Sequence, residues 1–459
     1  MLLRMKAMSK IIIKNISVVS RMDDSMGELE DCDILIDGRQ IQSIGKNLLA
    51  ENAAVIDGRN KIALPGFINT HHHFYQTMTR VLPKVNDAKL FDWLIYLYRI
   101  WEHITPEWVE ISTKLACGEL LLSGCTTSLD HYYVFPKTAE NLIDIEIDTA
   151  RKIGLRFHPT RGSMSLGQSE GGLPPDSVVQ NDEEILRDTE RLIKKYHDYD
   201  DLSMTRIVNA PCSPFSVSTA LMKESIKFAR KNKIFSHTHL AETFDEENFC
   251  LEKFGKTPVR YMEATGWLGE DVSFAHCVHI SGDDIKLIAE SRSCVAHCPS
   301  SNMRLGSGIA PVRKLLDSGV PVSIGVDGSA SNDSSNMLLE LRNAMLVSRV
   351  KAGVTSMSAR NVIYMATRGG AKTLGRKDIG EISEGFAADI ALFDRRDISF
   401  GGTGDPVAAL IFCGRDFTAS DVICNGEILV KNKKLLAFDE KGIFDEAERI
   451  FKRDIAPHL

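Results

Sequence analysis

Apolar and polar positions along this chain follow two rhythms. Near both ends, short runs alternate apolar with polar residues: 10–19 and 33–44 early, 388–393 and 420–430 late. A period of two marks strands with one buried face. Asp37-Gly38 and Asn425-Gly426 fall between such runs and predict tight hairpin turns. Neither end can bury its apolar faces alone. The two are therefore expected to join in one small β-sandwich.

Between the ends, strand-like runs at 63–69, 126–131, 155–160, 206–210, 235–239, 272–276, 294–298 and 322–327 alternate with amphipathic helices such as 141–153, 183–196, 221–232 and 283–291. Eight alternations predict an α/β fold, a parallel (β/α)8 TIM-type barrel rather than a doubly wound sheet. The expected division is 1–62 for the first part of the sandwich, 63–374 for the barrel, and 375–459 for the second part plus a C-terminal helix.

Chemistry in such barrels sits at the C-terminal ends of the strands. The unusual polar residues fall there: His71, His73, Asp130, His131, Arg161, Cys212, His239, Glu242, His276, His297 and Asp327. The segment after the first strand, 74–104, carries Tyr75, Phe91, Trp93, Tyr96, Tyr98 and Trp101, and the one after the third, 162–177, is rich in Gly, Ser and Pro. Long segments at that face serve as lids or binding walls. Packing on the barrel accounts equally well for any one of the aromatics.

The bulk properties narrow the class. A chain of 459 residues suits a barrel of about 250 residues plus a smaller domain. Hydrophobic residues at 43% and charged residues at 25% are the balance of a soluble protein. A net charge of −7, with no basic run, leaves no footprint for nucleic acid. No apolar stretch approaches a membrane span, and Met1 to Lys6 lacks the apolar core of a signal peptide. Ten scattered cysteines read as reduced core thiols of a cytoplasmic protein. A barrel flanked by a sandwich is also expected to form a homo-oligomer.

The run Pro65 to His73 carries the sharpest signal. Side chains alternate along a strand, so His71 and His73 share a face and His72 points away. Two imidazoles roughly 7 Å apart, with a local bend, can grip one divalent cation. A tag or surface tract does not fit, because the cluster is internal and follows an apolar strand. His239-Leu240-Ala241-Glu242 closes the fifth strand, His276 the sixth and Asp327 the eighth. His237 shares a face with His239, and the nearby carboxylate favours His239 as the ligand, leaving Glu242 to carry protons. Asp327 can instead cap the following helix. Convergence with three histidines favours the ligand role.

The segments His71 to Thr77, Ser123 to His131, Ala210 to Ser218 and His297 to Leu305 resemble the amidohydrolase superfamily, in its purine and pterin deaminase branch. The likeness runs from about Leu64 to Leu374, and within the branch it is greatest to the members acting on 8-oxoguanine. It implies one Zn2+ per chain on His71, His73, His239 and Asp327, with Glu242, His276 and Asp327 catalytic. Three imidazoles and a carboxylate suit zinc and leave a position for water, whose pKa zinc lowers to about 7. Asp327 would take the water's proton and pass it to the amine, Glu242 would protonate the ring nitrogen, and His276 would hold the attacking oxygen. The implied reaction is 8-oxoguanine plus water to urate plus ammonia. Isoxanthopterin, guanine and hydroxy-triazines share the ligand set as alternatives.

Other classes fit less well. A binuclear site needs a bridging ligand, commonly a modified lysine, and the third and fourth strands end in Thr160-Arg161 and Pro211-Cys212 without one. The deaminase class with His-x-Glu and Pro-Cys-x-x-Cys is excluded, because Phe215 stands three beyond Cys212. The Gly-x-Ser-x-Gly run at Gly167 to Gly171 lies within the Gly-, Ser- and Pro-rich segment after the third strand and not in a strand-to-helix elbow, so it does not mark a serine-triad hydrolase. A non-catalytic barrel would have lost ligands, and this chain keeps each one. For substrate contacts, Gln76 at the barrel mouth and Cys212 at the end of the fourth strand are the candidates. Relatives acting on guanine usually carry Arg where Cys212 stands, and oxidation at C8 turns N7 from acceptor into donor. Gln76 is expected on the amide edge of the ring and Cys212 on its five-membered side.

Overall fold

The computed structural model describes residues 10–414 and 418–459. The opening stretch, 1–6, read above as lacking a leader, lies outside the described residues. Eight parallel strands run in chain order: Phe67–Asn69, Cys125–Asp130, Arg156–Ser163, Val208–Pro211, Ser236–Leu240, Val272–His276, Cys294–His297 and Val322–Ile324. Helices intervene, among them Leu90–Trp101, Pro106–Leu122, Leu142–Ile153, Asp182–Tyr196, Thr219–Lys231 and Phe244–Phe254. The seam between the first and eighth strands is crossed by Thr70 N donating to Ile324 O (3.1 Å) and Asp327 N donating to His71 O (3.0 Å). The sheet closes into a barrel.

A second, nine-stranded sheet is built from both ends of the chain. Its central strand, Ile11–Ser20, pairs antiparallel with Glu28–Asp37 and parallel with Ala54–Asp57 and Lys61–Pro65. Lys61–Pro65 then pairs antiparallel with Ile390–Asp394, which joins the late hairpin Asp421–Cys424 and Glu427–Lys431. Ile11, Ile13, Ile34, Ile36, Ile390, Leu392 and Ile423 share one apolar core. The isolated bridge from Gln40 to Ala387 links the early hairpin to the late strands. Both hairpin turns form, and at the second one Asn425 (φ 50°) and Gly426 (φ 79°) are left-handed, as a two-residue turn requires.

One expectation needs correction. The apolar run 63–69 is not a single strand, because Lys61–Pro65 belongs to the end sheet and Phe67–Asn69 to the barrel. Gly66 is the joint. A Cβ there would lie 2.2 Å from Thr126 Oγ1, so only glycine fits without moving the second barrel strand. Its N–H donates to Asp389 O in the end sheet, while Phe67 N donates to Gly124 O in the barrel, both at 2.9 Å. The histidines also lie beyond the strand, in the extended turn before the short helix Phe74–Thr79.

A second link lies beside this joint. Arg156, fully buried, donates from Nε and Nη2 to the two Asp389 oxygens at 3.1 Å each and from Nη1 to the carbonyls of Leu202 and Ser203. Removing one partner of such a buried pair strands a charge, at a cost of about 3–5 kcal/mol.

Candidate metal and active site

His71 and His73 emerge from the first strand, His239 from the fifth and Asp327 from just beyond the eighth, and one ligand atom of each lies within 4.8 Å of the others. Asp327 Oδ1 faces His71 Nε2 at 3.3 Å and His73 Nε2 at 3.2 Å, and His73 Nε2 faces His239 Nε2 at 3.2 Å.

The far side of each ring is already committed. His73 Nδ1 donates to His131 O and His239 Nδ1 to Cys212 O, both at 2.7 Å. A carbonyl only accepts, so Nδ1 carries the proton and the Nε2 lone pair points at the shared centre. His71 Nδ1 meets His237 Nε2 at 2.8 Å, and His237 Nδ1 meets Ser273 Oγ at 2.8 Å. His71 Nε2 itself is buried without a hydrogen-bond partner. Burial holds His71 and His239 well below the usual imidazole range, so both are neutral, as ligands must be. For Asp327, burial opposes ionisation but the His71 and His73 rings that face it prevail, and its carboxyl stays well below its ordinary value. An unpaired buried nitrogen amid three imidazoles and one carboxylate fits a zinc ion.

Two further groups share His71, one with His276 and Cys298, the other with His131 and His237. The second would consume the His71–His237 hydrogen bond. His72 points away, its Nε2 on Ser335 Oγ at 2.9 Å.

Glu242 and His276 stand beside the cluster. His276 Nε2 lies 3.5 Å from Glu242 Oε2 and 3.9 Å from Asp327 Oδ2. Its Nδ1 donates to Asn302 Oδ1 at 2.8 Å. Burial raises the Glu242 carboxyl above its ordinary value. For His276, burial works against the charged ring, but the Glu242 and Asp327 carboxylates outweigh it and raise its pKa. Ala241, His276, Cys277 and Asp327 all adopt left-handed backbone (φ 48–73°). Such strain in residues with side chains gathers at functional sites.

A cavity opens over this group. Its walls include His73, His239, Glu242, His276 and Asp327, then Gln76, Ser331, Cys212, Phe215, Tyr133, Trp93, Leu94 and Tyr98. All the residues expected to bind metal, react or touch substrate therefore meet at one place, except that His71 lies just behind the cavity wall. Asp130, His131, Arg161 and His297, also noted at strand ends, do not line it. Arg161 turns outward to Asp188 Oδ2 (2.7 Å) and stacks over Phe135; Asp130 Oδ1 accepts from Phe74 N (2.5 Å).

Several supporting residues escaped the sequence reading. Glu246 accepts from Ala241 N (2.9 Å) and Glu242 N (3.1 Å), pinning the turn that aims Glu242. Burial pushes its carboxyl up to about 7. Asn302 and Gly328 have similar supporting positions. Glu246 has the look of an ordinary acid in the first turn of a helix. Asn302 lies within His297 to Leu305, where no residue-type signal sets it apart from its neighbours.

The amidohydrolase family profile matches residues 62–429. The chain belongs to the amidohydrolase family. Among its relatives, the 8-oxoguanine deaminase of Pseudomonas aeruginosa is 46% identical over 83% of this chain and 86% of its own. An isoxanthopterin deaminase from an unknown prokaryotic organism is 34% identical over 92% of this chain and 91% of its own. The crystal structure of atrazine chlorohydrolase from Arthrobacter aurescens TC1, complexed with zinc, superposes with a TM-score of 0.92 at 35% identity, covering 96% of this chain and all of that one (100%).

Proposed function

We propose that this chain is a zinc-dependent deaminase converting 8-oxoguanine and water to urate and ammonia, with one zinc per chain on His71, His73, His239 and Asp327. The observation that carries the reading is the convergence of those four ligand atoms beside Glu242 and His276, in a chain 46% identical to an 8-oxoguanine deaminase. Bound zinc supplies the Lewis acidity that makes water nucleophilic near neutral pH.

The side chains supply proton handling and position. Glu242, whose carboxyl burial raises above its ordinary value, is placed to donate a proton to the ring nitrogen beside the carbon bearing the amine. Asp327 Oδ1 is turned toward His71 and His73, which leaves Oδ2, on the His276 side, to accept the water's proton and return it to the departing amine. His276 Nε2 is buried without a hydrogen-bond partner and is placed to hydrogen-bond the oxygen added to the ring carbon. Gln76 and Cys212 hold the ring's amide edge and its five-membered side.

The 34% identical isoxanthopterin deaminase supports a pterin as the second reading. A cytoplasmic homo-oligomer is part of the proposal: ten unpaired cysteines support the compartment. Exposed Leu346, Val350 and Val354, spaced four apart, support the assembly. Among the described residues, no helix is long and apolar enough to cross a membrane.

The test is ammonia release from 8-oxoguanine, guanine, isoxanthopterin, cytosine and a hydroxy-triazine, on protein whose zinc content has been measured. Preference for 8-oxoguanine is expected. Zinc-loaded protein that releases ammonia from none of them would overturn the reading.

A further inference from the structure

The helix Leu90–Trp101 presents Leu90, Trp93, Leu94 and Tyr98 to the cavity, an i, i+3, i+4, i+8 set on one helical face. Two of these carry polar atoms with nothing to bond. Trp93 is 3% exposed and Tyr98 0%, and neither Trp93 Nε1 nor Tyr98 Oη has a hydrogen-bond partner. An unpaired buried donor costs about 1–3 kcal/mol. The neighbouring Trp101 and Trp108 on the same side of the barrel both satisfy their indoles, on Thr79 Oγ1 (3.2 Å) and Tyr75 O (2.9 Å). The unpaired groups of Trp93 and Tyr98 sit on residues of the cavity wall, where a ligand can pair them.

We infer that Tyr98, aided by Trp93, is a specificity determinant that reads the oxidised five-membered ring of the base. This rests on the proposed 8-oxoguanine reading and deepens it. Loss of the C2 amine places C2 at the metal cluster, so the C8 edge lies at the opposite end of the ring system. The helix wall adjoins the Cys212 side of the cavity, because Phe91 on this helix packs on Phe215 beyond Cys212, with ring centroids 5.0 Å apart.

Oxidation gives the base a C8 carbonyl that accepts and an N7–H that donates. An indole N–H can only donate and a phenol can do either, so the pair matches what 8-oxoguanine has and guanine lacks at C8. Burial keeps the Tyr98 phenol protonated, well above its ordinary range. Leu90, Leu94 and Leu305 make up the apolar part of the wall around it.

The experiment compares kcat/KM on 8-oxoguanine and guanine for wild type, Tyr98→Phe and Trp93→Phe, each checked for zinc content and thermal unfolding. Tyr98→Phe keeps the ring and removes only the hydroxyl. It is expected to lower the 8-oxoguanine to guanine ratio roughly ten- to a hundred-fold, with Trp93→Phe moving it the same way. An unchanged ratio in both variants, whether activity falls equally on both bases or on neither, overturns the inference and leaves the deaminase reading standing. Wild-type protein inactive on every base removes the reading and this inference together.

Discussion

Gln76 rests its side-chain amide directly on the backbone of Gly328, where a Cβ would come within 1.9 Å of Gln76 Oε1. Gly328 in turn donates its N–H to Asp327 Oδ1 at 2.7 Å. The proposed ligand Asp327 and the proposed substrate contact Gln76 are thus set by one residue without a side chain. Gly328→Ala should displace Gln76 and lower kcat/KM by roughly ten- to a hundred-fold, as Gln76→Ala should, at the cost of one unpaired buried group. The double variant should be no worse than the poorer single one. Additive losses in that cycle would show that the two act separately.

Metal content distinguishes the histidines. His71→Ala, His239→Ala and Asp327→Asn should lose zinc, measured by elemental analysis of folded protein, and turnover with it. His72→Ala should keep zinc, because its ring is spent on Ser335.

Glu242→Gln should retain zinc and lose about 10²–10⁴-fold in rate, the usual range for a general acid. Glutamine keeps the shape and has no acidic proton. Activity that needs the protonated carboxyl should fall as pH rises through its raised pKa, and that limb should vanish in the variant. A rate within a few-fold of wild type would move the role elsewhere.

Asn302 fixes the ring of His276 by accepting from Nδ1. Asn302→Ala should lower kcat with little change in KM or zinc, while Asn302→Asp, which keeps an acceptor, should restore much of the rate. Equal loss in both variants would make the contact merely structural.

Glu246 should leave a mark on stability. Its folded pKa of about 7 exceeds the 4.5 of a free side chain. Between those values the folded state binds the extra proton, so the slope of unfolding free energy with pH is negative. Stability should fall from about pH 4.5 to 7, by an amount on the order of 3 kcal/mol, and level off above. Glu246→Gln should show a flatter profile over that window in denaturant melts at several pH values.

The barrel was legible because each strand ends in residues that a buried strand has no use for, as His239 and Asp327 show. The end sheet was legible from Asn425-Gly426 and period-two runs. The division at Gly66 was not, since an apolar run reads the same whether it lies in one sheet or two. The contact partner alone decides that, here Thr126 on another strand. Gln76 and Cys212 announced themselves by position. Asn302 and Glu246 did not, because a residue that orients another differs from a helix cap only in what faces it.

The joint at Gly66 also governs when the site can exist during synthesis. The strand before the joint, Lys61–Pro65, is held on its far edge by Ile390–Asp394, made more than three hundred residues later in a 459-residue chain. A ribosome that has delivered every candidate ligand through Asp327 has still not delivered the strand that anchors the near side of the joint. Metal capture therefore belongs to the nearly finished chain, and a product truncated before residue 390 should carry all four ligands and hold no ion.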